Sequence, residues 1–361
     1  MVIKHSEPFL SKDEVKFLSE LIKREILSTG KIVRKFEMRL ARFLGVKDAV
    51  CTSSGSSALY LILKFLPEIF PELKNAKKVL IPSFTCPAIS NAVFMAGYKP
   101  VFADINLDTF SLSLEDVKKK ISSDVLCVVF IHSFGICSDI SDFLDLGVPV
   151  IEGIAQAFGG KVSSQKMVGS QGVASFTSFY ATKVITTAEG GAVFSNEKSL
   201  VEKIRDFIDY DKKDYNYYQF RFNFKMSDIQ AGLGLAQLKK IKTVLKRRKK
   251  IASLYFELLE DDERRGKIKL PPKKNNIFFR FPVILNDLSS DLVILNLKRK
   301  KIFAEKLIFK PLHFFYAEEQ NLQNTQTAYE KGISLPIHPN LSHKSIMFVS
   351  KEFRKQINSR Y

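Results

Sequence analysis

Histidine and cysteine are scarce in this 361-residue chain, with five of the first and four of the second. The histidines are scattered without metal-ligand spacing, which argues against a zinc site. Cys51, Cys86, Cys127 and Cys137 contain no C-x-x-C pair, and two of them sit in apolar runs. Reduced, buried thiols in a cytoplasmic protein are the simplest account. No apolar run approaches the ~18 residues of a membrane span. The opening Met-Val-Ile-Lys-His-Ser-Glu turns polar too early for a secretory leader. Acidic residues are also short, 38 against 56 basic, for a net charge of +18. Much of the excess lies in Lys239 to Lys250. A nucleic-acid binder would need aromatic or arginine clusters placed in a groove, and none stands out. The run reads instead as the solvated face of a helix.

The apolar fraction, 45%, is ordinary for a globular protein. Residues 11–45 read as two helices separated by Gly30. Short apolar runs then alternate with helical stretches. The predicted strands are 49–52, 79–81, 100–103, 125–130, 149–152, 173–177 and 192–195; predicted helices span 56–66, 87–96, 114–121 and 139–145. Near-continuously apolar strands in βα alternation predict an α/β fold whose sheet is mostly parallel and covered on both faces. One long helix is predicted from an N-cap at Ser227 towards Leu259, then a strand over 278–285 and a last helix over 343–357. These divide the chain into a large domain, 1–250, and a smaller C-terminal α/β domain, 251–361.

One stretch is unusual: Ser175-Phe-Thr-Ser-Phe-Tyr-Ala-Thr-Lys-Val-Ile-Thr-Thr-Ala-Glu-Gly-Gly191. Between two apolar strands it carries a single lysine, Lys183. A desolvated ammonium has a lowered pKa and becomes a usable nucleophile, able to condense with carbonyls such as that of pyridoxal phosphate (PLP). A surface lysine in a turn has the same local composition, and this stretch alone does not separate the two. Thr52-Ser53-Ser54-Gly55-Ser56-Ser57-Ala58 joins a strand to a helix. Free N–H groups there, flanked by hydroxyls, suit a phosphate, although a Ser-capped helix looks the same. Phe84 reads as core. Glu152 and Gln156, at the end of a strand, lie on the edge where α/β proteins bind ligands. A carboxylate in that position reads as functional, because desolvation is costly without a partner.

Taken in order, these pieces resemble the DegT/DnrJ/EryC1/StrS family of PLP-dependent sugar aminotransferases. The resemblance runs through Ser54–Leu59, Pro82–Thr85, Pro100–Asp104, His132–Asp139, Ile151–Glu152 with Ala155–Ala157, and Ser178–Lys183 with Glu189–Gly191. It continues through Asn223–Met226, Pro311–His313 and Leu335–Pro339. It implies a fold-type-I architecture, like aspartate aminotransferase, and a homodimer with shared active sites. Lys183 would hold PLP covalently. Gly55, Ser56, Ser57 and Ser178 would bind its phosphate, Gln156 would contact its ring, and Asn223 would reach the phosphate in the neighbouring subunit. Cys86 stands where the family often has a stacking aromatic ring. Tyr180, in place of a frequent histidine, and His313 fall at substrate-binding positions.

Gly153 is the main departure, because the family has there an aspartate that pairs with the pyridinium nitrogen. Rescue by Glu152 would need a strand bulge. The expectation is a slow enzyme, quickened by Gly153→Asp if the backbone tolerates a side chain. The implied activity moves an amino group from an amino acid, glutamate being expected, to a nucleotide-linked keto-sugar for amino-sugar and polysaccharide biosynthesis. The basic surface would suit that anionic substrate. A second expectation, favoured by Gly153, is a PLP-binding member with weakened or lost transaminase activity acting as a sensor or partner subunit. Lys183 argues against a dehydratase branch in which resemblance suggests a histidine at this position.

Overall fold

The computed structural model describes residues 2–164, 166–211, 220–316 and 320–358. Two amphipathic helices come first, α1 (Lys12–Lys23) and α2 (Lys31–Leu44), with Gly30 as N-cap of the second. Then follow β1 (Asp48–Thr52), α3 (Gly55–Ile69), β2 (Lys78–Pro82), α4 (Pro87–Met95), β3 (Lys99–Ala103), α5 (Leu114–Lys120), β4 (Val125–Ile131), α6 (Ser141–Leu144), β5 (Val150–Gly153), β6 (Ala174–Ser178), β7 (Gly191–Ser195) and α7 (Lys198–Ile208). The seven strands form one sheet in the order β1-β7-β6-β5-β4-β2-β3. Only β7 runs against its neighbours.

Side-chain alternation shows how both faces are covered. Val50 and Val193 point into a core with α3, α4 and α7, whereas Ala49, Cys51, Ala192 and Phe194 point into a second core with α2 and the helix at 228–239. Such double burial is why these strands read as unbroken apolar runs. Cys51, Cys127 and Cys137 are buried thiols as expected; Cys86 is exposed.

Two expectations need correction. The single long helix is two, α8 (Asp228–Lys239) and α9 (Ile241–Arg264). The chain turns at Lys240 (φ −105°, ψ 8°) because α8 packs on α1 and α2 while α9 packs on the last helix. Ser227 does cap α8, in a reciprocal capping box with Gln230. The strand expected from residue 278 begins at Phe281, because Phe278 has a left-handed backbone (φ 55°) that breaks strand geometry.

The second sheet, β10-β11-β9-β8, is antiparallel. Its strands are β8 (Ile268–Lys269), β9 (Phe281–Leu285), β10 (Glu305–Lys306) and β11 (Gly332–Leu335), with α10 (Ser290–Arg299), α11 (Gln323–Lys331) and α12 (His343–Asn358). Residue 250 falls inside α9. Ile241 and Val244 pack with the first sheet and Ile251 and Tyr255 with the second, as does Ile3 near the N-terminus. On α9, Lys242, Lys246, Arg247, Lys249 and Lys250 are exposed, the solvated face expected of this run. Arg248 differs: it is buried and donates to the carbonyls of Phe278 (3.2 Å), Phe279 (2.9 Å) and Ile337 (3.3 Å).

Candidate active site

The residues singled out in the sequence collect at the carboxyl ends of β1, β2, β4, β5 and β6. At the β1–α3 turn, Ser54 caps the helix: its Oγ accepts from Ser57 N–H (3.1 Å), and Ser57 Oγ accepts from Ser54 N–H (3.0 Å). Ser57 is thereby committed to the cap, with its hydroxyl also donating to the Ser54 carbonyl (2.8 Å). It shapes the turn rather than lining its open end. Ser56 is exposed, and the N–H groups of Gly55 and Ser56 find no acceptor among the described residues. A Cβ on Gly55 would lie 2.8 Å from Ser178 Cβ, so the helix end sits directly on the end of β6. A Cβ on Gly191 would overlap the Ser54 carbonyl from the other side. Unpaired N–H donors, a helix dipole and the Ser178 hydroxyl make a cradle matched to a phosphate dianion.

Lys183 follows five residues after Ser178, its N–H donating to the Tyr180 carbonyl (2.9 Å). Its ammonium lies 5.5 Å from the centre of the Phe279 ring and makes no ion pair among the described residues. Burial is the main cause holding its pKa below the ordinary lysine value; Arg280 acts in the same direction, and a Cys86 thiolate would oppose it. Lys183 thus closes a turn yet is half-buried with a lowered pKa, the setting that makes a lysine amine a candidate nucleophile.

Gln156 Oε1 accepts from Phe134 N–H (2.7 Å), which fixes the amide. Cys86 is the exposed N-cap of α4, and Phe84 before it is core, stacked on Phe110 and edge-on to Phe134. Tyr180 is exposed. Asn223 is exposed, accepting from Lys225 N–H (3.4 Å) among the described residues; beside it, the Phe224 carbonyl accepts from Ser53 N–H (2.7 Å). His313 is buried, its Nδ1 2.6 Å from Ser83 Oγ in the loop after β2. Burial lowers its pKa, with Asp104 opposing and Lys120 assisting.

Glu152 is a correction. It is fully buried on the face away from Gly153, and four donors hold it: His132 Nε2 (3.0 Å), Gly169 N–H (2.9 Å), Gln171 N–H (2.7 Å) and Gly172 N–H (2.8 Å). Burial alone would raise its pKa, but His132 and the N–H groups of Gly172 and Gly169 outweigh it and the net shift is downward. The partners missing from the sequence argument are supplied by the loop before β6, so its role is structural.

Arg280 and Phe279 were missed. The loop after β4 binds the segment before β9, through Ile277 N–H to the Gly135 carbonyl (2.9 Å) and Arg280 N–H to the Phe134 carbonyl (3.0 Å). That contact brings both residues towards Lys183. The signal was present: Arg280 is a lone cation in an aromatic run, as Lys183 is in its own stretch.

A seven-stranded, mostly parallel α/β sheet followed by a small antiparallel sheet is the architecture of a fold-type-I aminotransferase. The sequence model of the DegT/DnrJ/EryC1/StrS aminotransferase family matches residues 8–354, and the chain belongs to that family. It is an aminotransferase, and its cofactor is PLP. Among similar proteins, a GDP-perosamine synthase from Vibrio cholerae is 29% identical over 98% of both chains. A UDP-4-amino-4,6-dideoxy-N-acetyl-beta-L-altrosamine transaminase from Campylobacter jejuni is 30% identical over 96% of both. The solved structure of Helicobacter pylori PseC, an aminotransferase involved in the biosynthesis of pseudoaminic acid, superposes with a TM-score of 0.91 at 27% identity over the full length of both chains. The expectation of a member that has lost transamination finds no support in these relatives. No helix among the described residues is long and apolar enough to cross a membrane.

Proposed function

We propose that this aminotransferase takes its amino group from an amino acid, glutamate being the expected donor, and delivers it to a keto-sugar carried on a nucleotide, for amino-sugar or polysaccharide biosynthesis. The observation that carries the reading is Lys183, its pKa lowered by burial and without a carboxylate partner among the described residues, on the turn that follows Ser178 of the cradle. The residues fit PLP: the Gly55, Ser56 and Ser178 cradle would hold its phosphate, Lys183 Nζ would hold it covalently, and Gln156 and Cys86 would serve its ring. When bound, the cofactor supplies an electron sink for the charge left when the donor loses its α-proton.

The chain's own part is acid–base work and positioning. Lys183 Nζ, its pKa lowered by burial, is the group placed to take up the donor's α-proton and later return it. The helix N-terminus and Ser178 would hold the phosphate and so position the cofactor relative to Lys183. Tyr180 and His313 are the positions read as substrate-binding. His313, kept neutral by burial, holds the Ser83 loop beneath the site. The net charge of +18 favours encounter with an anionic nucleotide.

A cytoplasmic homodimer with shared sites is part of this reading. The exposed aromatic rings of Phe220 and Phe222, beside Asn223, support a partner surface there. The domain division at residue 250, with the site served from both sides, belongs to it as well. To test the function, glutamate is added to the PLP-loaded protein. The visible cofactor band should lose intensity as 2-oxoglutarate forms, and nucleotide-linked keto-sugars should then be aminated. Loss of the band with alanine or aspartate but not glutamate would refute the donor. Amination of free keto-sugars, but not nucleotide-linked ones, would refute the acceptor.

A further inference from the structure

We propose that this site holds the cofactor's pyridine nitrogen in its neutral form, against an apolar wall of Gly153, Ile131 and Phe176. The inference rests on the reading of Lys183 and the Gly55–Ser178 cradle as the cofactor site. β5 ends at Gly153, which pairs with Ile131 of β4 on one side and Phe176 of β6 on the other. Phe176 and Ser178 lie two apart on one strand and so share a face. The wall and the phosphate cradle are therefore on the same side of the sheet. Ile131 and Phe176 are both buried, in the core beneath α3. A Cβ on residue 153 would overlap Ile131 Cδ1 and lie 3.0 Å from Phe176 Cζ. The volume that an acidic side chain at 153 would need is already filled by hydrocarbon.

The neighbouring acid does not take over. Glu152 faces the opposite side, and both of its oxygens accept two hydrogen bonds each. The pairing of β5 with β4 and β6 runs through Glu152 and Gly153 without a register shift, so no bulge turns the carboxylate round. Arg280, whose charge reaches Lys183, is a cation and disfavours a further positive charge nearby. A pyridine is a weak base. In contact with hydrocarbon, and with no anion to hold its proton, it stays neutral, because burial penalises the charged form. Glycine at 153 is thus matched by the residues packed over it. The site is built for a neutral ring, not merely missing a carboxylate.

The test uses the full-length protein loaded with PLP labelled with ¹⁵N in the ring. The ¹⁵N chemical shift is read at neutral pH, and borohydride reduction with peptide mapping locates the attachment. The expected result is an adduct on Lys183 and the shift of a neutral pyridine nitrogen. In parallel, the apo-protein is titrated with 5-deazapyridoxal phosphate, whose ring lacks the nitrogen. Its affinity should match that of PLP within about threefold, since no charge-assisted hydrogen bond is lost. A Lys183 adduct with a protonated-nitrogen shift, or a loss of about tenfold or more with the deaza compound, overturns the apolar wall and leaves the cofactor reading standing. Absence of any Lys183 adduct overturns both.

Discussion

Gly55 and Ser178 are packed so closely that residue 55 has no room for a side chain. A Cβ there would lie 2.8 Å from Ser178 Cβ and 3.2 Å from its Cα, and neither atom can give way without moving β6. Gly55→Ala is therefore expected to push the first turn of α3 off the sheet. Overpacking of this kind costs about 1–3 kcal/mol. The phosphate cradle opens at the same time, so PLP affinity should fall by more than the melting temperature alone suggests. Fluorescence titration of the apo-protein with PLP checks this; unchanged affinity would show that the cradle does not hold the phosphate.

Lys183 is the next position to change. Lys183→Ala should abolish transamination while leaving the fold intact, since the residue makes no ion pair among the described residues and its backbone N–H bond to Tyr180 survives. Circular dichroism and a half-reaction assay with glutamate decide it. An alanine variant that keeps wild-type turnover would remove Lys183 from the chemistry.

Much of this site could be read from the sequence because its signals are local. A lone lysine between apolar strands and a Ser/Gly turn before a helix are properties of a few consecutive residues. What escaped reading was non-local. Glu152 looked functional because its four donors come from His132 and from residues 169–172, which only the fold brings to it. The long helix split because its two halves pack on different partners, and no residue near Lys240 announces that. The contents of the space over Gly153, set by Ile131 and Phe176 from two other strands, were equally out of reach.

Glu152 should control stability in acid. Its carboxyl is held below the 4.5 of a free glutamate, so the stability it contributes is complete above about pH 4.5 and is lost as the pH falls through the lower folded-state value. Glu152→Gln removes the charge and turns an amide N–H₂ towards N–H donors. Breaking a buried pair in this way costs about 3–5 kcal/mol. Urea denaturation should show that difference at pH 7 and a smaller one at pH 4. A difference that does not change with pH would mean the carboxylate's charge is not what stabilises the loop.

The filled space over Gly153 reverses the expectation that an aspartate there would speed the reaction. Gly153→Asp forces its Cβ into Ile131 Cδ1 and buries a carboxylate among hydrocarbon, so it should be less stable and no faster. Gly153→Ala isolates the steric part. It should be destabilised by about 1–3 kcal/mol, and Ile131→Val, which removes the offending Cδ1, should recover part of that loss. Additive stability changes in the double variant would show that the two residues do not meet.

Shared active sites make a prediction about mixtures. Asn223 is exposed and its amide nitrogen has no acceptor among the described residues, while its neighbour Phe224 is bonded to Ser53 of the same chain. The segment is thus anchored on its own subunit with the Asn223 side chain turned outward. If that side chain serves the partner's phosphate site, a dimer of one Lys183→Ala chain and one Asn223→Ala chain contains one site with both defects and one with neither. Random exchange makes half the dimers mixed, so an equal mixture should reach about a quarter of wild-type activity from intact sites. The assay is run at limiting PLP, where Asn223→Ala alone should be weak and Lys183→Ala inactive. Tagged subunits and affinity purification confirm that mixed dimers formed. A purified mixed dimer with no more activity than its Asn223→Ala parent would place Asn223 in its own subunit's site or in none.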